Sequence, residues 1–187
     1  ADCHIVSPIF HEISNDVFKK IKDDSNFLFV DPQGFLRQKD STNNIILKKT
    51  DLDLSDVNAI KINPEEGQNI VSGSHDEMML ALQKKGIEYV LLTNKSDVSL
   101  LVKNRVYSLK LPNKNIHDTT GIGDIFCSAF TCTMLKEKDF LWALCFAAGS
   151  AQAALESNNV GLQKIPKKGM VENNASYFYN LVDFRDL

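Results

Sequence analysis

The 187-residue chain predicts an α/β layer sandwich: a mainly parallel sheet flanked by helices, with a β-hairpin appended. Three observations predict it. Strand-like stretches recur, as short apolar runs at residues 27–30 and 89–92 and as an alternating one at 57–62, and helical patterns separate them. No tight hairpin turn joins one run to the next before residue 103, so the earlier connections read as crossovers between parallel strands. A turn carrying Gly121 and Gly123 leads straight into the small-residue run Cys127-Ser128-Ala129, a helix start.

The elements follow in chain order. Residues 4–10 are apolar enough for a buried strand. Ile13, Val17, Phe18 and Ile21 then recur at helical spacing, with Ser14, Asn15 and Asp16 near the start. The run 27–30 is the second strand and ends at Asp31-Pro32-Gln33-Gly34, read as a turn. Residues 38–56 are polar and form a surface excursion with one strand candidate at 45–47. Residues 57–62 alternate as a third strand, ending in Asn63-Pro64-Glu65-Glu66. Ser74-His75-Asp76-Glu77 is a capping box opening a helix whose apolar face holds Met78, Leu80, Ala81 and Leu82, and Gly86 stops it. Residues 89–92 are a fourth strand, and 99–102 with 106–111 form the hairpin. Two helices occupy about 123–135 and 139–156, the second rich in alanines that allow close packing. The tail from Gly169 carries Tyr177, Phe178, Leu181 and Val182, enough for a closing helix. The expected organisation is a single α/β domain over 1–187.

Composition narrows the function classes. A net charge of −3 offers no global attraction to nucleic acid or to an anionic membrane. No apolar run is long enough to span a bilayer, and no signal-peptide pattern opens the sequence. Cys3, Cys127, Cys132 and Cys145 show no metal-like spacing, and three fall in helical patterns. Buried free thiols in a reducing, cytoplasmic setting explain them better than disulfides.

The chemistry concentrates in Asp118-Thr119-Thr120-Gly121-Ile122-Gly123-Asp124. A helix start carries unpaired N–H groups and the positive end of the dipole, so it can hold a phosphate-sized anion. Asp124 sits in that first turn, where a carboxylate can take a proton beside the anion. A base next to an anion hole is the minimum equipment for phosphoryl transfer to a hydroxyl. In parallel α/β sheets ligands bind at the C-terminal ends of strands, and Asp31, Asn63, Thr93 and the loop before Asp124 all fall at such ends.

This run resembles the C-terminal signature of the PfkB/ribokinase family of carbohydrate kinases, whose usual pattern is D-T-x-G-A-G-D followed by phenylalanine and small residues. Ile122 stands where that pattern has a small residue. The resemblance implies a ribokinase-like, Rossmann-type fold and transfer of the ATP γ-phosphoryl group to a hydroxyl of a sugar, polyol or nucleoside, with Mg2+. Asp124 matches the family's catalytic base, and the amides of Gly121, Ile122 and Gly123 its anion hole, with Thr120 on the nucleotide side. Asn63 and Glu66 match an N-x-x-E motif associated with magnesium; read without the family, the same residues are a helix cap and a first-turn acid. Thr93-Asn94-Lys95 begins the loop that approaches the nucleotide, where the family has T-x-G-x-x-G and this chain keeps only the threonine. Lys95 either reaches a phosphate or is a solvated turn lysine. Ala148, Asn159 and Gly161 correspond to the adenine side. Arg37 contacts phosphate or lies beside a surface turn, and His117, just before the signature, touches ligand or faces solvent.

The matching motifs all belong to the second part of such kinases, and the opening residues read as a mid-domain strand. The expectation is therefore the C-terminal portion of a longer kinase, with a homodimer formed through a lid that lies outside this sequence. The alternative is a non-catalytic nucleotide- or anion-binding module derived from such a kinase. A vitamin-precursor kinase of the same fold is a third possibility.

Overall fold

A computed structural model of the chain describes residues 1–112 and 118–187. They divide into two compact units: Ala1–Asn94 with Ser99–Val106 and Arg185–Leu187, and Lys95–Val98 with Tyr107–Phe184.

The first unit opens with β1 (His4–Val6), α1 (Asn15–Asp23) and β2 (Leu28–Val30), and continues through α2 (Gln33–Leu36), β3 (Arg37–Lys39) and β4 (Ile45–Leu47). It then adds β5 (Ala59–Ile62), α3 (Pro64–Ile70), α4 (His75–Lys84) and β6 (Tyr89–Thr93). Strands β1, β2, β5 and β6 pair in parallel, with Val6 beside Val30, Val30 beside Ile60 and Ile60 beside Val90. Every residue of β2 and β5 is buried, as expected for strands inside a parallel sheet. Phe18 of α1, Leu82 of α4, Leu28, Ile62 and Leu92 share one apolar core.

The sheet continues through β7 (Asp97–Val102), β8 (Arg105–Lys110) and β9 (Asp183–Asp186), giving seven strands in the order β1-β2-β5-β6-β7-β8-β9. Two residues, Lys103 and Asn104, connect β7 to β8, and both have positive φ, 48° and 63°. That is the backbone of a type I′ hairpin turn, which fits the twist of antiparallel strands. The appended hairpin is therefore present and belongs to the main sheet.

Three short elements depart from the sequence expectation. Residues 31–34 do not form an open turn: Pro32 caps the single-turn helix α2. Gly34 is required there, because a Cβ at this position would lie 2.3 Å from the Pro8 carbonyl oxygen. The same Ser7-Pro8 segment ends β1 at Val6 rather than at residue 10, since proline donates no ladder hydrogen bond. Strand β3 is charged and pairs antiparallel with β4 in a separate two-stranded sheet. Its turn is held by the Asp40 carboxylate, which accepts from the N–H groups of Thr42 at 2.7 Å and Asn44 at 2.9 Å. Strand β9 is wholly exposed; the Leu187 N–H donates to the Asn104 carbonyl at 2.8 Å, and Arg105 Nε meets Asp186 Oδ1 at 2.6 Å.

The second unit is mainly helical: α5 (Ile122–Glu137), α6 (Phe140–Leu155), a 3-10 turn at Gly161–Lys164 and α7 (Lys168–Tyr179). Asp139 caps α6 by accepting from the N–H groups of Leu141 and Trp142 at 2.9 and 3.0 Å. The buried alanines of α6 let it pack against both α5 and α7.

Candidate active site

The Asp118–Gly121 segment of the second unit is a hydrogen-bonded turn, and each bond follows from a residue type in the signature. Asp118 Oδ1 accepts the Thr120 N–H at 2.9 Å, as a short carboxylate does two residues ahead of a turn amide. Gly121 caps α5 with φ +76°, a conformation that suits glycine. Among the described residues, and apart from its chain neighbours, no heavy atom lies within 4 Å of where its Cβ would be. The Ile122 N–H turns onto the Thr119 carbonyl at 3.2 Å, and the first helical bond runs from the Ile125 N–H to the Gly121 carbonyl at 3.0 Å. The amides of Gly121 and Gly123 make no hydrogen bond to described residues, and these two, rather than three consecutive amides, are available to an anion.

This turn forms one wall of a cavity of about 870 Å³, within the range of small-molecule sites. Asp118, Thr120, Gly121, Asp124 and Gly161 line it, together with apolar side chains of Ile125, Phe146, Leu162 and Val171. Asp124, in the first turn of α5, is exposed on that wall rather than folded into the interior. The Asp118 carboxyl is held down at about 2 by the bonds from Thr120 and from Lys164, so it is ionised at neutral pH.

Other expected positions lie elsewhere. Ala148 is wholly buried in α6 and is not part of the lining, to which α6 contributes Phe146 and Ser150 instead. Asn159 is exposed, and its side-chain amide donates to the Gln163 carbonyl at 3.1 Å. His117 lies outside the described residues. Lys164 is the residue that sequence reasoning missed: a lysine beside Ile165-Pro166 reads as solvated, yet it is buried and bonded to the signature turn.

In the first unit, Asn63 and Glu66 form a reciprocal cap on α3. Asn63 Oδ1 accepts the Glu66 N–H at 2.8 Å, and Glu66 Oε2 accepts the Asn63 N–H at 2.8 Å. Thr93, at the end of β6, donates its hydroxyl to the Ile62 carbonyl at 3.4 Å, which brings Thr93 beside the residue preceding Asn63. Asn94 and Lys95 follow it on the exposed surface. Arg37 donates to the Ile9 carbonyl at 3.3 Å, and Asp31 is ion-paired with Lys61 at 2.5 Å.

Glu66 is only 1% exposed. Burial pushes its carboxyl above the ordinary glutamate range, opposed by the positive charge of Lys61 and assisted by the negative charge of Asp31. Among the described residues no group of three His, Cys, Asp or Glu side chains could hold a metal ion. Magnesium does not need one, since it keeps several waters and takes one or two carboxylates. Glu66 spends Oε2 on the cap, which leaves Oε1 for such a water.

The raised Glu66 pKa has a sign. Folding favours the protonated form, so this contribution to stability is present below the ordinary glutamate pKa and is lost as pH rises through the higher folded value. Glu66→Gln keeps the acceptor for the Asn63 N–H and cannot ionise. The melting temperature of this variant is expected to exceed that of the unsubstituted protein at pH 7 and to converge with it below about pH 4. Thermal scans across that range check this; a Glu66→Gln variant less stable at pH 7 counts against it.

Thiol reactivity reports on the cavity. Burial pushes Cys145 up to about 12, whereas Cys132 is exposed on the cavity wall. Iodoacetamide is expected to modify Cys132 in the native protein and to spare Cys145 until unfolding, which peptide mass spectrometry measures.

Residues 35–168 match the family model of the pfkB family of carbohydrate kinases, and the chain belongs to that family. Solved structures share the fold at low identity. A pyrophosphate-dependent kinase in the ribokinase family, complexed with a pyrophosphate analog and myo-inositol, is 18% identical with a TM-score of 0.79, covering 92% of this chain and 62% of that one. Ribokinase from Thermotoga maritima is 16% identical with a TM-score of 0.71, covering 94% of this chain and 57% of that one. Phosphofructokinase-2 from Escherichia coli is 11% identical with a TM-score of 0.71, over 94% and 57%. The chain thus spans about three fifths of the length of these structures. No curated protein matches the chain. Among the described residues, no helix is long and apolar enough to cross a membrane.

Proposed function

We propose that this chain carries the phosphoryl-transfer centre of a carbohydrate kinase. The γ-phosphoryl group of ATP rests against the amides of Gly121 and Gly123, and the hydroxyl of a sugar, polyol or nucleoside attacks it. The new O–P bond forms as the bond to the β-phosphate oxygen breaks. The hydroxyl proton passes to Asp124, and ADP leaves. Fixed amide donors stabilise the charge spread over the transferring oxygens without having to reorganise. The observation that carries this reading is the presence of Asp124 and the Gly121 turn on one wall of one cavity. To Asn63 and Glu66 we assign the association with hydrated magnesium, which neutralises phosphate charge when bound.

The apolar lining favours ATP over a smaller donor, because pyrophosphate has no part that would fill it. Pyrophosphate is the second reading, for two reasons: similar structures include pyrophosphate-dependent kinases, and the loop after Thr93 has no glycine.

Incubation with magnesium and either ATP or pyrophosphate, over a panel of sugars, polyols, nucleosides and vitamin precursors, tests the proposal. Acceptor-dependent ADP release supports it. Phosphate release from pyrophosphate alone moves the donor assignment. Binding without turnover on any acceptor leaves the non-catalytic module.

A further inference from the structure

We propose that Lys164 is a positioning residue whose ammonium group clasps the Asp118–Thr120 turn and thereby fixes the direction of the amides at the start of α5. This rests on the reading of that turn as the phosphate cradle. The side chain is 3% exposed, and burial of an ammonium is costly unless every proton is bonded and the charge is met. Here both conditions hold, and one turn meets them. Nζ donates to the Asp118 carbonyl at 2.7 Å, to Asp118 Oδ2 at 3.0 Å and to the Thr120 carbonyl at 3.2 Å.

An ammonium has three protons, so none is left for a ligand. Its charge is matched by the Asp118 carboxylate, so it adds little net attraction for a phosphate. What remains is geometry. Asp118 is held from two sides: Oδ1 accepts from Thr120 inside the turn, and Oδ2 accepts from Lys164, which reaches it from 46 positions along the chain. The residue after Thr120 is Gly121, whose left-handed backbone has no described residue beyond its chain neighbours within 4 Å of its Cβ position. Without the clasp, the bonds left to the turn among the described residues are Asp118–Thr120 and Thr119–Ile122, which are local. The 3-10 turn Gly161–Lys164 and the following Pro166 aim the lysine.

Removing the lysine does not strand a buried charge, because the Asp118 side chain is 41% exposed and water can take over. Lys164→Met is therefore expected to fold, and Lys164→Gln, which keeps polar donors but loses the charge, serves as a second variant. Two measurements are made on the intact protein and on each variant: hydrogen exchange of the Thr120 and Ile122 amides, which are hydrogen-bonded within the turn, and calorimetric binding of ATP without acceptor at low and high salt. Expected are faster exchange at those amides and an affinity loss on the order of tenfold or more, with the salt dependence of binding unchanged. A lysine touching phosphate would instead weaken the salt dependence when removed, and that result overturns the proposal. So does unaltered exchange in a folded variant. If the unsubstituted protein binds no ATP, the cradle reading fails, while amide exchange still decides whether Lys164 positions the turn.

Discussion

Asp124→Asn is expected to lower the rate of phosphoryl transfer by about 10²–10⁴-fold, the usual worth of a positioned general base, while leaving donor binding intact or slightly tighter. Asparagine has nearly the same shape and cannot accept the hydroxyl proton. It also removes a negative charge from the wall that receives an anion. The fold should tolerate it: the residue is exposed, and losing an acid from the first turn of a helix costs about 0.3–1 kcal/mol. Steady-state kinetics with a productive acceptor, alongside ATP calorimetry, separate the two effects. A variant with unchanged kcat removes Asp124 from the chemistry. One with unchanged kcat but poorer binding makes it a structural residue of the turn.

Asp31→Ala is expected to have the largest effect on stability, about 3–5 kcal/mol, because removing one partner of a buried ion pair is strongly destabilising. The two side chains meet at 2.5 Å, with 6% and 9% of their surface exposed. For a chain of this size about 1 kcal/mol corresponds to roughly 2–4 °C in melting temperature, so the loss should approach ten degrees or more. Replacing both partners, Asp31→Leu with Lys61→Met, should recover most of it, because a buried ion pair and a well-packed apolar pair are often close in energy. Urea unfolding of the single and double variants closes the cycle. A single-variant loss below about 1 kcal/mol would show that water or the neighbouring Glu66 carboxyl meets the Lys61 charge. The prediction also bears on Asp31 as a ligand-binding residue. A strand-end carboxylate whose Oδ2 holds Lys61 and whose Oδ1 accepts the Gln33 N–H at 3.2 Å is already occupied by the fold.

The parts of the molecule that were legible in the sequence are those whose cause is local. Ser74 with Glu77 announces a capping box, and Asn63 a helix cap followed by first-turn acids, because the partners lie within one turn. Helix α5 declares its start because Gly121 permits a backbone that other residues resist. The apolar runs of β2 and β6 show themselves because strands covered on both faces need apolar residues throughout. Asp124 was legible for the same reason as α5: its place is fixed by the turn three residues before it.

Short-range hydrogen bonding and hydrophobic periodicity suffice to specify the α/β class, the order of the main elements and the glycine turn that puts Asp124 in the first turn of α5. Where the charged side chains are spent depends instead on long-range packing. Nothing near Lys61 or Lys164 in the sequence marks either as buried; partners 30 and 46 positions away are brought to them by the fold. Strands β3 and β9 carry no apolar pattern and exist because a neighbour offers a ladder. Ala148 faces packed protein rather than the cavity, because which side of an all-small helix meets a void depends on the helices around it. Each of these outcomes rests on contacts distant in sequence, and residue identity at one position carries no record of them.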